Sequence, residues 1–356
     1  MALRSGGWHP LPMSIAFDSS RWENIRSISR KWWAGELERP LIPARVLGRD
    51  PGRPEPRLPL LGQGNCHDFS ITPEQIIDRI DYDLSCYHFL GDAFPYFNMD
   101  CFGPGIVAAF LGAKLDNSSG RVWFHPPADT PIAELHFQFD PDNVWFQRVC
   151  DIYREGMRRW QGVVLMGMTD LGGVVDILSS FRPGDALLMD LYDEPEEVKR
   201  LIGEIHELWH HYYAALNEVL QPVNPGYSDW SRIYSDTPGY ILQADFAYMI
   251  SPEMFDEFVL PELAASCRKL SRPFYHLDGK GQLPHLDSLL RIPELAGVQW
   301  IPGDGQPDCR HWPEVYQKIA GAGKKIQLIG DLQTLDAVAC QIGSTKEIFL
   351  WSGSLY

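Results

Sequence analysis

Apolar and polar positions alternate along this chain in two periods. Short apolar runs end abruptly in polar or glycine residues: "AFPYFNMD" (93–100), "VVLMGMTD" (163–170), "GYILQAD" (239–245), "PFYHLD" (273–278), "GVQWIPG" (297–303), "KKIQLIGD" (324–331) and "EIFLWSG" (347–353). Between them lie stretches with apolar residues at helical spacing. "TPEQIIDRIDYDLSCYHFL" (72–90) offers Thr72 as N-cap and Pro73 at the first helical position. "DEPEEVKRLIGEIHELWHHYYAALNEVL" (193–220) is a long amphipathic pattern with acids in its first turn, where the helix dipole favours them. "SPEMFDEFVLPELAASCRKL" (251–270) opens on a Ser-Pro helix start, and "GPGIVAAFLGAKL" (103–115) reads as a loop entering a helix. Strands that alternate with helices pair in parallel, because a parallel neighbour needs a crossover. Seven such units, with an eighth strand unplaced, predict an α/β protein built as a (β/α)8 TIM barrel over residues 71–356. Residues 1–70 read as an N-terminal arm and extension, irregular where "LGRDPGRPEPRLPLLGQG" (47–64) concentrates proline, glycine and arginine. Met13 is an alternative start.

Composition narrows the partners. A formal net charge of −16 provides no field to attract nucleic acid or an anionic membrane. No apolar run reaches the roughly 18 residues of a membrane span. The seven cysteines, 66, 86, 101, 150, 267, 309 and 340, are scattered without a C-x-x-C, which suits free thiols in a reducing cytoplasm. A monomer or a homodimer is expected.

In a barrel of this kind the residues just past the C-terminal strand ends build the site. Those positions hold Asn98 and Asp100, Asp170, Asp245, His276 and Asp278, Gln299 and Trp300, Asp304, Asp331 and Trp351. An acidic and aromatic set around one histidine suits a cationic ligand, a metal or acid–base work. His276 and Asp278 are two apart at a strand end, so alternation aims both the same way, and Gly279 and Gly281 leave room for a ligand. The pair reads as catalytic or as metal ligands, with Asp245 beside it. Asn98, Asp170, Gln299, Asp304 and Asp331 read as substrate-binding, with Trp230, Tyr234 and Trp300 as an apolar wall. For Asp100, Asp170, Asp245 and Asp331 the plain alternative is an N-cap on the next helix. "NPGYSDWSRIYSDTPGY" (224–240) is expected to close over the mouth as a lid. His206 and His210, at i and i+4, lack the rest of a zinc motif and read as helix cladding. G-x-G-x-x-G after a strand, the phosphate-loop pattern and G-x-S-x-G are all missing.

Five stretches, "FGPGIVAAFLGA", "LLMDLYDEPEEVKRLI", "QADFAYMISPEMFDEFVLPEL", "YHLDGKG" and "IQLIGDLQTLDAV", resemble the uroporphyrinogen decarboxylase superfamily, which includes corrinoid-linked methyltransferases. The resemblance runs from about residue 71 to 354 and implies a (β/α)8 barrel with its ligand at the C-terminal mouth. The decarboxylases carry an arginine-rich N-terminal motif for porphyrin carboxylates, where this chain has "KWWAGELERPLI". The methyltransferase branch holds zinc through H-x-C and a later cysteine; here Asp278 and Ser354 stand at the two cysteine positions. The resemblance therefore implies methyl transfer on a small-molecule substrate or with a corrinoid protein as partner, and a divalent metal site harder than a thiolate zinc site. Two rivals remain open: a metal-free decarboxylase or lyase using the same pair for proton transfer, and a non-enzymatic ligand-binding barrel.

Overall fold

The computed structural model describes residues 15–352 except 66 and 222. Five strands form one parallel sheet in the order Ile348–Trp351, Lys325–Ile329, Gly297–Ile301, Arg272–Asp278, Gly239–Gln243. Chain neighbours are sheet neighbours, and helical segments make each crossover. A second parallel pair joins Tyr96–Phe97 to Leu165–Met166. Parallel bridges link Met168 to Asp229 and Leu41 to Phe349. Among the described residues the parallel strands thus form ladders of five and two, rather than one ring of eight. In "VVLMGMTD", Leu165 and Met166 pair with Tyr96 and Phe97, and Gly167 N–H still donates to Phe97 O at 2.8 Å; a side chain on residue 167 would meet the Tyr96 ring, which glycine avoids. Past it the chain turns to Asp229 instead.

The helices follow their punctuation. Thr72 and Gln75 form a reciprocal capping box on the helix Pro73–Ser85. The helix Pro195–Leu220 buries Val198, Leu201, Ile205, Trp209, Tyr212 and Leu216 along one stripe. After Ser251, the helix widens to a π turn over Phe255–Val259 before continuing as Leu260–Lys269. Pro261 has no N–H to return to the preceding turn, which is where such widening occurs. No described helix is long and apolar enough to cross a membrane.

The described residues of 48–72 have no helix or strand, as the proline and glycine content predicts. The stretch before them is ordered. Ser19–Trp33 is a helix capped by Asp18, and it buries Trp22, Trp32 and Trp33. Trp32 and Trp33 pack with Phe274, Phe349, Ile241 and Ile233 in one apolar cluster. The Trp33 indole donates to Tyr234 O at 2.9 Å, and Lys325 Nζ to Trp32 O at 2.6 Å. Lys325 begins a strand, Phe274 and Phe349 lie in the first halves of theirs and Ile241 at the middle of its own, so this helix packs toward the N-terminal ends of the sheet. It leaves the opposite end open for a site.

A candidate metal centre at the C-terminal strand ends

The register places Gln243, His276, Gln299 and Gln327 side by side on four adjacent strands. In-register residues of parallel strands face the same way, so a polar row crosses the sheet at one level. His276 Nδ1 meets Gln299 Oε1. Gln299 Nε2 donates to Gln327 Oε1 at 2.8 Å, and Gln327 Nε2 donates to Ser231 O at 2.6 Å. Ser231 O can only accept, so it orients both amides in turn. Gln299 therefore shows its carbonyl to the imidazole, and His276 must carry its proton on Nδ1. Its Nε2 is left facing the Asp278 carboxylate, as in metal sites where an outer hydrogen bond sets the tautomer.

Two carboxylates flank that nitrogen. Asp278 Oδ2 is 3.7 Å from His276 Nε2, too far for a hydrogen bond. Asp245 completes a group in which one ligand atom from each residue lies within 4.8 Å of the others. Burial opposes protonation of His276, but Asp278, Asp245 and Gln299 together raise its pKa. Crowding by the protein raises the Asp245 carboxyl, and the histidine partly offsets it. Trp230 stands edge-on to the imidazole, centroids 4.9 Å apart.

Asp176 positions the third member, and sequence reasoning missed it. Its carboxylate accepts the N–H groups of Asp245 at 3.0 Å and Phe246 at 2.8 Å, pinning the turn that presents Asp245. A Cβ on residue 173 would come within 2.2 Å of Gln243 O and 2.4 Å of Asp176 Oδ2, so only glycine fits there. Nothing local in "LGGVVD" signals this, because the target is 69 residues away.

Other acids surround the group. Burial pushes Asp170 up to about 8, against a hydrogen bond from Gly172 N–H and reinforced by Asp100 and Asp245. Asp100 rises to about 6, again through burial. Asp304 and Asp331 line a neighbouring cavity of about 720 Å³ together with Asp278 and Asp308. Asp331 is the N-cap of Leu332–Ile342, and its hydrogen bonds to Thr334 hold it below the usual carboxylate range, so the capping alternative applies. Asn98 Nδ2 donates to Met168 O at 2.9 Å, tying two strand ends together.

Three expected contributions change. Trp300 is fully buried and packs on Trp312, centroids 5.1 Å apart. Alternation that turns Gln299 toward the site must turn Trp300 to the helices behind the sheet. Tyr234 packs on Trp22 and Phe94, and its hydroxyl donates to Pro225 O at 3.1 Å, so it fastens the N-terminal helix instead of walling the mouth. The 224–240 segment is not built as a lid. Asp229, Ser231, Ile233 and Ser235 are buried, Asp229 accepts the Ile241 N–H at 2.7 Å, and Ser231 O ends the amide row. Opening it would strip hydrogen bonds from the sheet. The expected Ser354 contribution lies outside the described residues. His206 and His210 contact Ser266 between helices, as cladding should.

No protein-family model matches the chain, and no curated protein sequence matches it. A solved structure does: a methyltransferase from Methanosarcina mazei, with a TM-score of 0.58 and 12% sequence identity over 93% of this chain and 93% of that chain. At this identity the likeness concerns the fold, and it is a methyltransferase-like α/β fold that the chain shares along nearly its whole length.

Proposed function

We propose that the chain is a metal-assisted methyl-transfer enzyme of the uroporphyrinogen decarboxylase type, its parallel strands closing as a (β/α)8 barrel with the site at their C-terminal mouth. The carrying observation is the convergence of Asp245, His276 and Asp278, with the imidazole held through Nδ1 by the amide row so that Nε2 meets the two carboxylates. The donor set fits a divalent ion: one imidazole nitrogen and two carboxylate oxygens are borderline-to-hard ligands, suited to zinc or a harder metal. A metal bound there supplies Lewis acidity that lowers the pKa of a substrate thiol or hydroxyl, which makes it a methyl acceptor. The protein's own groups hold the three ligands in place. Gln299 fixes the imidazole, Asp176 fixes the Asp245 turn, and Trp230 limits one side. Asn98, Asp170 and Asp304 would face the acceptor from the surrounding strand ends, while Asp331 serves as a helix cap. A corrinoid, free or on a partner protein, would be met at the rim by exposed Tyr248 and Met249; Tyr248 lies against Gly279 and Gly281. The six described cysteines are free, which supports a cytoplasmic setting.

A second reading rests on a separate observation. Burial raises the Asp170 pKa to about 8, which favours its protonated form near neutral pH within electrostatic reach of His276, as a metal-free decarboxylase or lyase requires. Metal analysis of the purified protein decides between them. The proposal expects stoichiometric divalent metal, and demethylation of methylcobalamin in the presence of simple thiols that a chelator abolishes. His276→Ala should lose both. A metal-free protein with chelator-insensitive turnover would leave only the second reading.

A further inference from the structure

The two carboxylates of the candidate metal group come from separate turns, and the structure ties these turns together. Asp278 ends the strand Arg272–Asp278, and the chain continues through Gly279 into a tight helical turn over Lys280–His285. Gly279 N–H donates to Ile301 O at 2.8 Å and Gln282 N–H to Gly279 O at 3.0 Å, so this turn is built onto the end of the sheet. Asp245 opens the second turn, Asp245–Met249, whose first N–H groups the Asp176 carboxylate accepts. Carboxylates brought together repel one another, so the spacing of the two turns needs a tie.

His285 reaches across. The residue is 1% exposed, and its Nε2 lies 2.8 Å from Ala247 O. A carbonyl only accepts, so Nε2 carries the proton and donates it. Nδ1 has no hydrogen-bond partner among the described residues, which leaves the bond to Ala247 as the hydrogen bond the imidazole makes there. Packing alone does not call for this residue, because an apolar side chain would avoid burying an unpaired nitrogen. The ring stacks on Phe255, centroids 4.4 Å and planes 13° apart. Phe255 opens the π turn Phe255–Val259, a widening frequent at functional sites. The Tyr248 ring crosses between the same two turns. A Cβ added at residue 281 would come within 2.6 Å of that ring, and one at residue 279 within 3.1 Å. The room that Gly279 and Gly281 leave is therefore taken by the neighbouring turn. Behind it Tyr275, one residue before His276, donates its hydroxyl to Gln282 Oε1 at 3.0 Å.

We infer that His285 is a positioning residue for the metal group: its bond to Ala247 O locks the turn carrying Asp245 to the turn that follows Asp278, and so sets the distance between the two carboxylates. The inference rests on the metal reading of Asp245, His276 and Asp278. His285 is not one of the three ligands and acts through the Ala247 backbone, two residues after Asp245. Asp176 holds the start of that turn and His285 its middle, from two different parts of the chain. A carboxylate held in place before the ion arrives has less freedom to lose on binding.

The test compares His285→Met with His285→Gln in the full chain, with cobalt(II) as the probe. Both substitutions lose the ring and have nearly the same shape. Only glutamine carries an N–H donor at the same number of bonds from Cβ as the imidazole Nε2. His285→Met should weaken cobalt binding roughly tenfold or more, as loss of an outer hydrogen bond does, and change the visible spectrum of the bound ion. His285→Gln should keep the wild-type affinity and spectrum even if it melts lower. In the metal-free protein, amide exchange over residues 245–250 should rise in His285→Met alone. Equal losses in both variants, or wild-type cobalt affinity in His285→Met, overturns the proposal. If the wild type binds no cobalt, exchange decides: a rise in His285→Met alone means that the lock stands and the metal reading fails, and no such rise means that both fail.

Discussion

His276 and Asp278 share a strand end and a role, but their substitution has unequal structural consequences. The Asp278 side chain is 42% exposed, with no neighbour closer than the imidazole at 3.7 Å among its ion pairs. Asp278→Ala should lose metal and activity while melting within a few degrees of wild type, a change of roughly 1 kcal/mol or less. His276→Ala removes the donor that Gln299 faces and leaves a buried carbonyl unsatisfied. That should cost about 1–3 kcal/mol as well as activity, read by paired thermal melts. Equal melting of the two variants would show that the amide row does not hold the histidine. A second residue sets a pH dependence away from the site. Burial, then His206 and Lys269, holds His210 down to about 3. An unfolded histidine takes up a proton near pH 6.5, so below that pH the unfolded chain gains protons that the folded one refuses. This contribution to stability is complete above pH 6.5 and is lost as pH falls toward 3. His210→Gln keeps a hydrogen-bonding group near Ser266 and should flatten the melting temperature between pH 6.5 and 4. An unchanged slope would count against a neutral buried imidazole.

Among the elements, the turn at Asp245 shows how a loop is positioned by another part of the chain. Gly173, at the N-terminus of the helix Val174–Phe181, lets that helix come close enough for Asp176 to accept both turn N–H groups. Gly173→Ala forces a carbon against Gln243 O and the Asp176 carboxylate, so one of them must move. Metal affinity should fall at least tenfold with helix content preserved by circular dichroism. Gly203 provides the control. It lies in the exposed side of the helix Pro195–Leu220 with nothing within 4 Å of an added Cβ. Gly203→Ala should stabilise the protein by about 0.4–1 kcal/mol through lost freedom of the unfolded chain, and leave metal binding alone. If both glycine variants bind metal like wild type, Asp176 does not position Asp245.

At the scale of the whole molecule, a net charge of −16 sets the response to salt. Exposed ion pairs are worth less than about 1 kcal/mol each, so self-repulsion dominates the long-range energy. Raising ionic strength from about 0.01 M to 0.15 M cuts the screening length from about 30 to 8 Å and should raise the melting temperature. A steady fall with sodium chloride would mean that the ion pairs outweigh the repulsion. The sequence by itself determined what depends on short-range periodicity: the apolar strands and their polar C-terminal ends, the Thr72 and Ser251 helix starts, the Asp331 cap, and the shared direction of His276 and Asp278. Alternation was also sufficient to turn Trp300 away from Gln299, although a strand end with two polar-capable residues invites placing both in the site. Only the tertiary structure decided the rest. It joined Asp176 to Asp245, lined up Gln299 and Gln327 behind the histidine, and folded the 224–240 segment into the sheet. These are contacts between residues tens of positions apart, fixed by strand register and crossover packing. Local pattern records whether a residue will be buried, but not which distant polar group will meet it there.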